Sequence, residues 1–258
     1  MERLVSRRSS GLSASGLRKW GLAFLVMGIF SQAILQNKML GMAEGSNAQL
    51  LDLFTRNPDA MGIAAAAIVL QALESCAAPI FSFLLVEGFL HEEKFQPYLL
   101  KVLSVALVSE LPYNLAVGGK LLDLSTRNPV FGLVFALVML HFYRLYSEKG
   151  TRNTLLKLVA SVAAFIWCAM LNVQHGQCIV ILAGVLWMCR SKPNLRIMFG
   201  CTAAVVCCLF SPFYLLAPMS MMAIHFYNGE PGEENELMRF WMYPGILAII
   251  AIVGTFLF

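Results

Sequence analysis

Two acidic residues, Glu87 in Ser82-Phe83-Leu84-Leu85-Val86-Glu87-Gly88-Phe89 and Glu110 in Ala106-Leu107-Val108-Ser109-Glu110-Leu111-Pro112-Tyr113, stand inside apolar runs that read as membrane spans. A carboxylate at the centre of a spanning helix costs about 2.5–3.5 kcal/mol on insertion scales, so such residues face a bundle interior, take a partner and mark functional sites. Two histidines can join them. His175 lies in the polar hairpin Asn172-Val173-Gln174-His175-Gly176-Gln177 near the outer face, and His225 in Ala223-Ile224-His225-Phe226-Tyr227-Asn228-Gly229 after two prolines. Imidazole titrates near neutrality, which suits general acid–base or ligand chemistry, although a hydrogen-bonded structural histidine reads the same way in sequence. His91, in the charged loop His91-Glu92-Glu93-Lys94, reads as solvated, and His141 as part of an interfacial belt with Tyr143, Arg144 and Tyr146.

A second constellation is a repeat. Leu50-Leu51-Asp52-Leu53-Phe54-Thr55-Arg56-Asn57-Pro58 recurs as Leu121-Leu122-Asp123-Leu124-Ser125-Thr126-Arg127-Asn128-Pro129, changed only at Phe54 against Ser125. Asn-Pro ahead of an apolar run is a helix start: the asparagine oxygen accepts an orphan N–H and proline has none to lose. Two readings follow. The loops are either two capped helix starts with solvated arginines, or one anion site built from Arg56, Arg127, Asn57, Asn128 and two positive helix ends.

The elements that must hold these residues are membrane helices. The chain is 59% hydrophobic and only 13% charged, with a mean hydropathy of +0.71, far from the roughly 25% charged residues of soluble domains. We therefore expect an all-α polytopic bundle of about eight transmembrane helices forming one domain over 1–258, with a basic cytoplasmic tail at 1–17. The spans fall at about 18–36, 60–90, 97–117, 129–147, 154–172, 177–190, 196–218 and 238–258. Segment 60–90 is too long for one crossing at about 1.5 Å per residue, which predicts a tilt or break near Cys76-Ala77-Ala78-Pro79. Segment 177–190 is short of the roughly 20 residues a crossing needs, so a full span and a re-entrant piece are both open for it. The seven cysteines form no C-x-x-C and no zinc or haem spacing, so small apolar packing is their role. No metal site, phosphate-binding glycine loop or nucleophile elbow is present in the sequence.

Eight spans put both termini on one side. All but five of the 19 Lys and Arg fall there, the exceptions being Lys38, Arg56, Lys120, Arg127 and Arg239. The positive-inside rule makes that side cytoplasmic, in a bacterial inner membrane, and leaves the acidic loop Glu230-Pro231-Gly232-Glu233-Glu234-Asn235-Glu236 outside. The net charge of +4 is thus an orientation signal and not a nucleic-acid signal; the partner this composition calls for is the lipid bilayer.

Ala78-Pro79-Ile80-Phe81-Ser82-Phe83-Leu84-Leu85-Val86-Glu87-Gly88-Phe89, then Ser109-Glu110-Leu111-Pro112-Tyr113-Asn114, then Asn128-Pro129-Val130-Phe131, Tyr227-Asn228-Gly229-Glu230 and Tyr243-Pro244 resemble, in order and spacing, the TraX family over about residues 18–250. These are bacterial polytopic proteins named for acetylation of the conjugative F-pilin, and the chain looks like the clostridial type. The resemblance implies a membrane acyltransferase working on a peptide amine or a protein or glycan acceptor, with no bound cofactor and acyl-CoA as donor. Two departures stand against it. The Asp-His pair of the family's first span is replaced by Phe30-Ser31, and the family's Tyr-Pro-x-His is Tyr243-Pro244-Gly245-Ile246 here. If those histidines are general bases, His175 or His225 must substitute, beside Glu87 and Glu110. The other reading is a non-catalytic permease or assembly partner, in which the glutamates pair inside the bundle or line a polar pathway.

Overall fold

The computed structural model describes residues 11–42, 53, 55, 57–92, 94–123 and 125–256. These residues form an all-α bundle; apart from two isolated bridges they contain no β pairing. Helix α1 (Ala14–Phe30) starts where the Ser13 hydroxyl accepts from the Gly16 amide at 3.2 Å, and continues as a π-helical segment, Ser31–Met39. Next come α2 (Pro58–Glu74), α3 (Ala77–His91) and α4 (Phe95–Tyr113), the last extended by a π-helical turn, Asn114–Gly118. Then follow α5 (Val130–Leu145), α6 (Thr151–Met170), α7 (Gly176–Met188) and α8 (Pro193–Val206). Two 3₁₀ turns, a short α9 (Met219–His225) and α10 (Glu236–Phe256) complete the order.

Among the described residues, five stretches are long and apolar enough to cross a membrane: Ala14–Met39, Pro58–His91, Phe95–Gly118, Thr151–Met170 and Leu237–Thr255. Helix α6 exposes Leu155, Leu158, Val159, Val162 and Ile166, an apolar face that only lipid or a partner can cover. Helix α7 is the opposite case. Its 13 residues span about 20 Å, less than the roughly 30 Å hydrocarbon core, and it is buried by α3, α5, α6 and α8 instead of lipid.

The expected break in the second span is present. Helix α2 ends at Glu74, Ser75 and Cys76 turn the chain, and α3 restarts at Ala77 with Pro79 in its first turn, where a missing N–H costs nothing. The repeated Asn-Pro caps also form. Asn57 accepts from the Asp59 amide and Asn128 from the Val130 amide, each at 3.0 Å.

The seventh span departs from expectation. Helix α8 starts beside Arg196, whose guanidinium lies 4.9 Å from the Phe83 ring; 31 residues later Tyr227 meets the same ring edge-on at 5.1 Å. The segment therefore goes into the bundle and returns to the end it left. Its 14-residue helix is too short to cross, Pro212 and Pro218 interrupt further helix, and α9 leads back. Tyr227 forms a parallel bridge with Leu12, and Arg18 pairs with Glu234, so the acidic loop lies at the N-terminal end of the bundle and not opposite it. Helix α10 then begins near Gly88, where Arg239 lies, and ends with Gly254 against Ile34. The described chain thus starts and finishes at opposite ends. The even crossing count behind two termini on one side is corrected, and Arg239 joins the basic end.

Candidate functional site

The polar centre forms where the break between α2 and α3 meets the loop before α7. Glu74, the last residue of α2, is 3% exposed. Its carboxylate accepts from His175 Nε2 at 3.2 Å and from Gln174 Nε2 at 3.4 Å. The other imidazole nitrogen, Nδ1, faces the Tyr214 hydroxyl at 2.7 Å, and Tyr113 donates to Gln174 Oε1 at 2.6 Å. With Nε2–H donated to a carboxylate, neutral His175 has Nδ1 as its basic atom and accepts from Tyr214; a protonated ring would donate there instead.

Four elements converge to make this arrangement. Tyr214 comes from the returning hairpin, whose tip also offers the Leu216 carbonyl to Cys76 at the break. Gly28 of α1 allows the close approach of Glu74, because a Cβ there would fall inside the carboxyl group. His175 itself has φ +59°, and Asn172 φ +48°; both hold left-handed backbone without being glycine, a conformation that persists only where surroundings enforce it. The enforcing contacts are the bridge between Arg127 and Val173, in which the Arg127 amide donates to the Asn172 carbonyl at 3.1 Å and the Gln174 amide to the Arg127 carbonyl at 2.9 Å.

That bridge explains Glu110. Its carboxylate accepts from Arg127 at 2.8 Å and from the Asn128 side chain at 2.6 Å, while the Asn128 amide also donates to the Ala106 carbonyl at 2.9 Å. Glu110 therefore fixes the Thr-Arg-Asn-Pro loop, which in turn fixes the His175 loop. In the same loop, hydrogen bonds from the Ser125 amide and hydroxyl hold Asp123 below the usual carboxylate range. Arg127 and Asn128 are engaged by Glu110, Asn57 caps α2, and Arg56 lies outside the described residues.

The remaining sequence candidates lie elsewhere. Glu87 pairs with Arg196 at 3.5 Å at the basic end. His225 is exposed at the end of α9, against Phe226, and does not join His175. Glu74 was missed in the sequence, although the cost of an intramembrane acid applies to it as to the other two.

A largely apolar cavity of about 130 Å³ joins the two ends of this system. Arg18, Tyr98 and Arg239 line it at the basic end, Leu22, Leu84 and Val102 along its wall, and His175 and Tyr243 at depth. Along α1, Gly28 lies ten residues beyond Arg18, about 15 Å at the α-helical rise. The Glu74–His175 pair, opposite Gly28, is thus sunk well into the bundle.

The sequence profile described as TraX protein matches residues 20–254. The chain belongs to the TraX family. No curated protein and no solved structure matches it. In this TraX family member, Ser31 at the end of α1, in place of the histidine expected from the resemblance, is buried and donates to the Ala67 carbonyl at 2.9 Å. An acid and a histidine nonetheless meet, supplied by the α2 terminus and the α7 loop.

Proposed function

We propose that this protein transfers an acyl group from acyl-CoA to an amine or hydroxyl acceptor, with His175 as general base and Glu74 as its orienting carboxylate. The observation that carries the reading is the Glu74–His175–Tyr214 relay, whose half-buried imidazole lines the deep end of a cavity with two arginines at its mouth. The acceptor's N or O attacks the thioester carbonyl, its proton passes to the relay, and the C–S bond breaks as the same proton goes to the departing thiolate. A long flexible thioester arm fits a narrow apolar passage, and Arg239 suits the donor's phosphates, Arg18 beside it being paired with Glu234. The acceptor is a peptide amine or a surface group on a protein or glycan.

The orientation we propose follows from the basic end, which with Arg239 added leaves, among the described residues, Lys38, Lys120 and Arg127 opposite. Basic residues gather on the cytoplasmic side, so the cavity mouth opens to cytoplasmic acyl-CoA in a bacterial inner membrane.

The test uses the purified protein in lipid nanodiscs with acetyl-CoA, measuring thiol release and transfer of labelled acetyl to envelope fractions. Wild type turns over. His175→Ala falls by about 10²–10⁴-fold, the usual contribution of a general base; Arg239→Ala raises KM for acetyl-CoA with little change in kcat. A folded wild type without turnover, or an undiminished His175→Ala, refutes the reading. The alternative, a non-catalytic permease or assembly partner, draws support from Glu87 and Glu110, both paired with arginine; it expects no turnover at all.

A further inference from the structure

Tyr243 is 7% exposed and its hydroxyl has no hydrogen-bond partner in the protein, yet the residue lines the same cavity as His175. Buried hydroxyls are ordinarily satisfied, so one left without a protein partner and bordering a cavity is a donor suited to a ligand there. A carbonyl oxygen that gains charge during reaction is matched by a neutral O–H donor of this kind.

Position along α10 supports the same ligand. Arg239, at the cavity mouth, precedes Tyr243 by four residues, one helical turn of about 6 Å, so both project on one face. Pro244 in that helix has no N–H to give the Phe240 carbonyl, and Phe240 also lines the cavity.

We propose that Tyr243 is a catalytic residue: its hydroxyl donates to the carbonyl oxygen of the donor's acyl group and holds the oxyanion as His175 takes the acceptor's proton. The assignment rests on the acyl-transfer reading. In the step, the acceptor–carbon bond forms, the carbonyl π pair moves onto the oxygen facing Tyr243, and collapse of that oxyanion expels the thiolate, which takes the proton held by the relay. The tyrosine keeps its own proton throughout.

The test is Tyr243→Phe, which removes one oxygen and keeps the ring. Acetyl-CoA turnover should fall about 10²–10³-fold, as for loss of one oxyanion donor, with only a smaller rise in KM. Thermal unfolding of the ligand-free variant should be at or above the wild-type midpoint, because no protein hydrogen bond is lost. Wild type should be stabilised more by acetyl-CoA than by CoA, and Tyr243→Phe equally by both. Wild-type turnover with an undiminished Tyr243→Phe overturns the assignment alone. A wild type that neither binds nor cleaves acetyl-CoA overturns the acyl-transfer reading and the assignment with it.

Discussion

Gly28→Ala separates a site that depends on Glu74 from a generic helix contact. In a helix interior, Gly→Ala is ordinarily worth up to about 1 kcal/mol of stabilisation. At Gly28, however, the added Cβ would overlap Glu74 Cγ, Cδ and Oε2. The carboxylate must swing away, losing the bonds from His175 and Gln174 at 3.2 and 3.4 Å. Hydrogen bonds to a charged group contribute about 1.5–3 kcal/mol, so after the helix gain the variant should be less stable by roughly 1–2 kcal/mol. The control is Gly62→Ala in α2, where a Cβ meets nothing within 4 Å and should stabilise. Unfolding midpoints in detergent measure both, and acetyl-CoA turnover should fall for Gly28→Ala only. Adding Glu74→Ala should make room for the Cβ, so the double variant should be no less stable than Glu74→Ala alone. If Gly28→Ala behaves like Gly62→Ala, the carboxylate is not held where the site requires it.

Two further outcomes follow. In a cysteine-free background, Glu233→Cys and Ser147→Cys should be labelled from one side of the membrane and Lys120→Cys from the other; labelling of Glu233→Cys together with Lys120→Cys would restore a complete seventh crossing. Glu110→Ala and Arg127→Ala should each destabilise, with a coupling of about 0.5–3 kcal/mol in a double-mutant cycle, whereas additive effects would mean that Arg127 is not held by Glu110.

The bundle was legible because composition and span length report directly on the solvent around a helix. The break at Cys76 was legible because a largely apolar run of 31 residues, 60–90, exceeds one crossing. The return of the seventh segment was not. An apolar run reads the same whether the chain goes through or turns back, and two prolines, Pro212 and Pro218, barely lower its hydropathy although they end its helix. The side of the acidic loop and of Arg239 depends on that turn. His175 was legible from its polar hairpin, but its partner was not, since pairing is a tertiary fact. Each intramembrane glutamate announces its need for a partner; which one it finds depends on helices distant in sequence.

Glu74 shows why the partners cannot be exchanged freely. It ends α2, where unsatisfied carbonyls already make the helix terminus negative, and a carboxylate there is disfavoured by about 0.3–1 kcal/mol. Burial adds to that cost. The position is tolerable only with N–H donors brought from elsewhere, and both that reach it, from Gln174 and His175, come from a loop held in left-handed backbone by Arg127. Arg127 is in turn held by Glu110. The two acids therefore have linked but different tasks. Glu110 is satisfied by its own neighbouring loop and sets the geometry, while Glu74 depends on that geometry to keep the imidazole oriented. A histidine with one nitrogen fixed by a carboxylate and the other turned to a tyrosine hydroxyl is arranged to exchange a proton, which simple helix packing would not require.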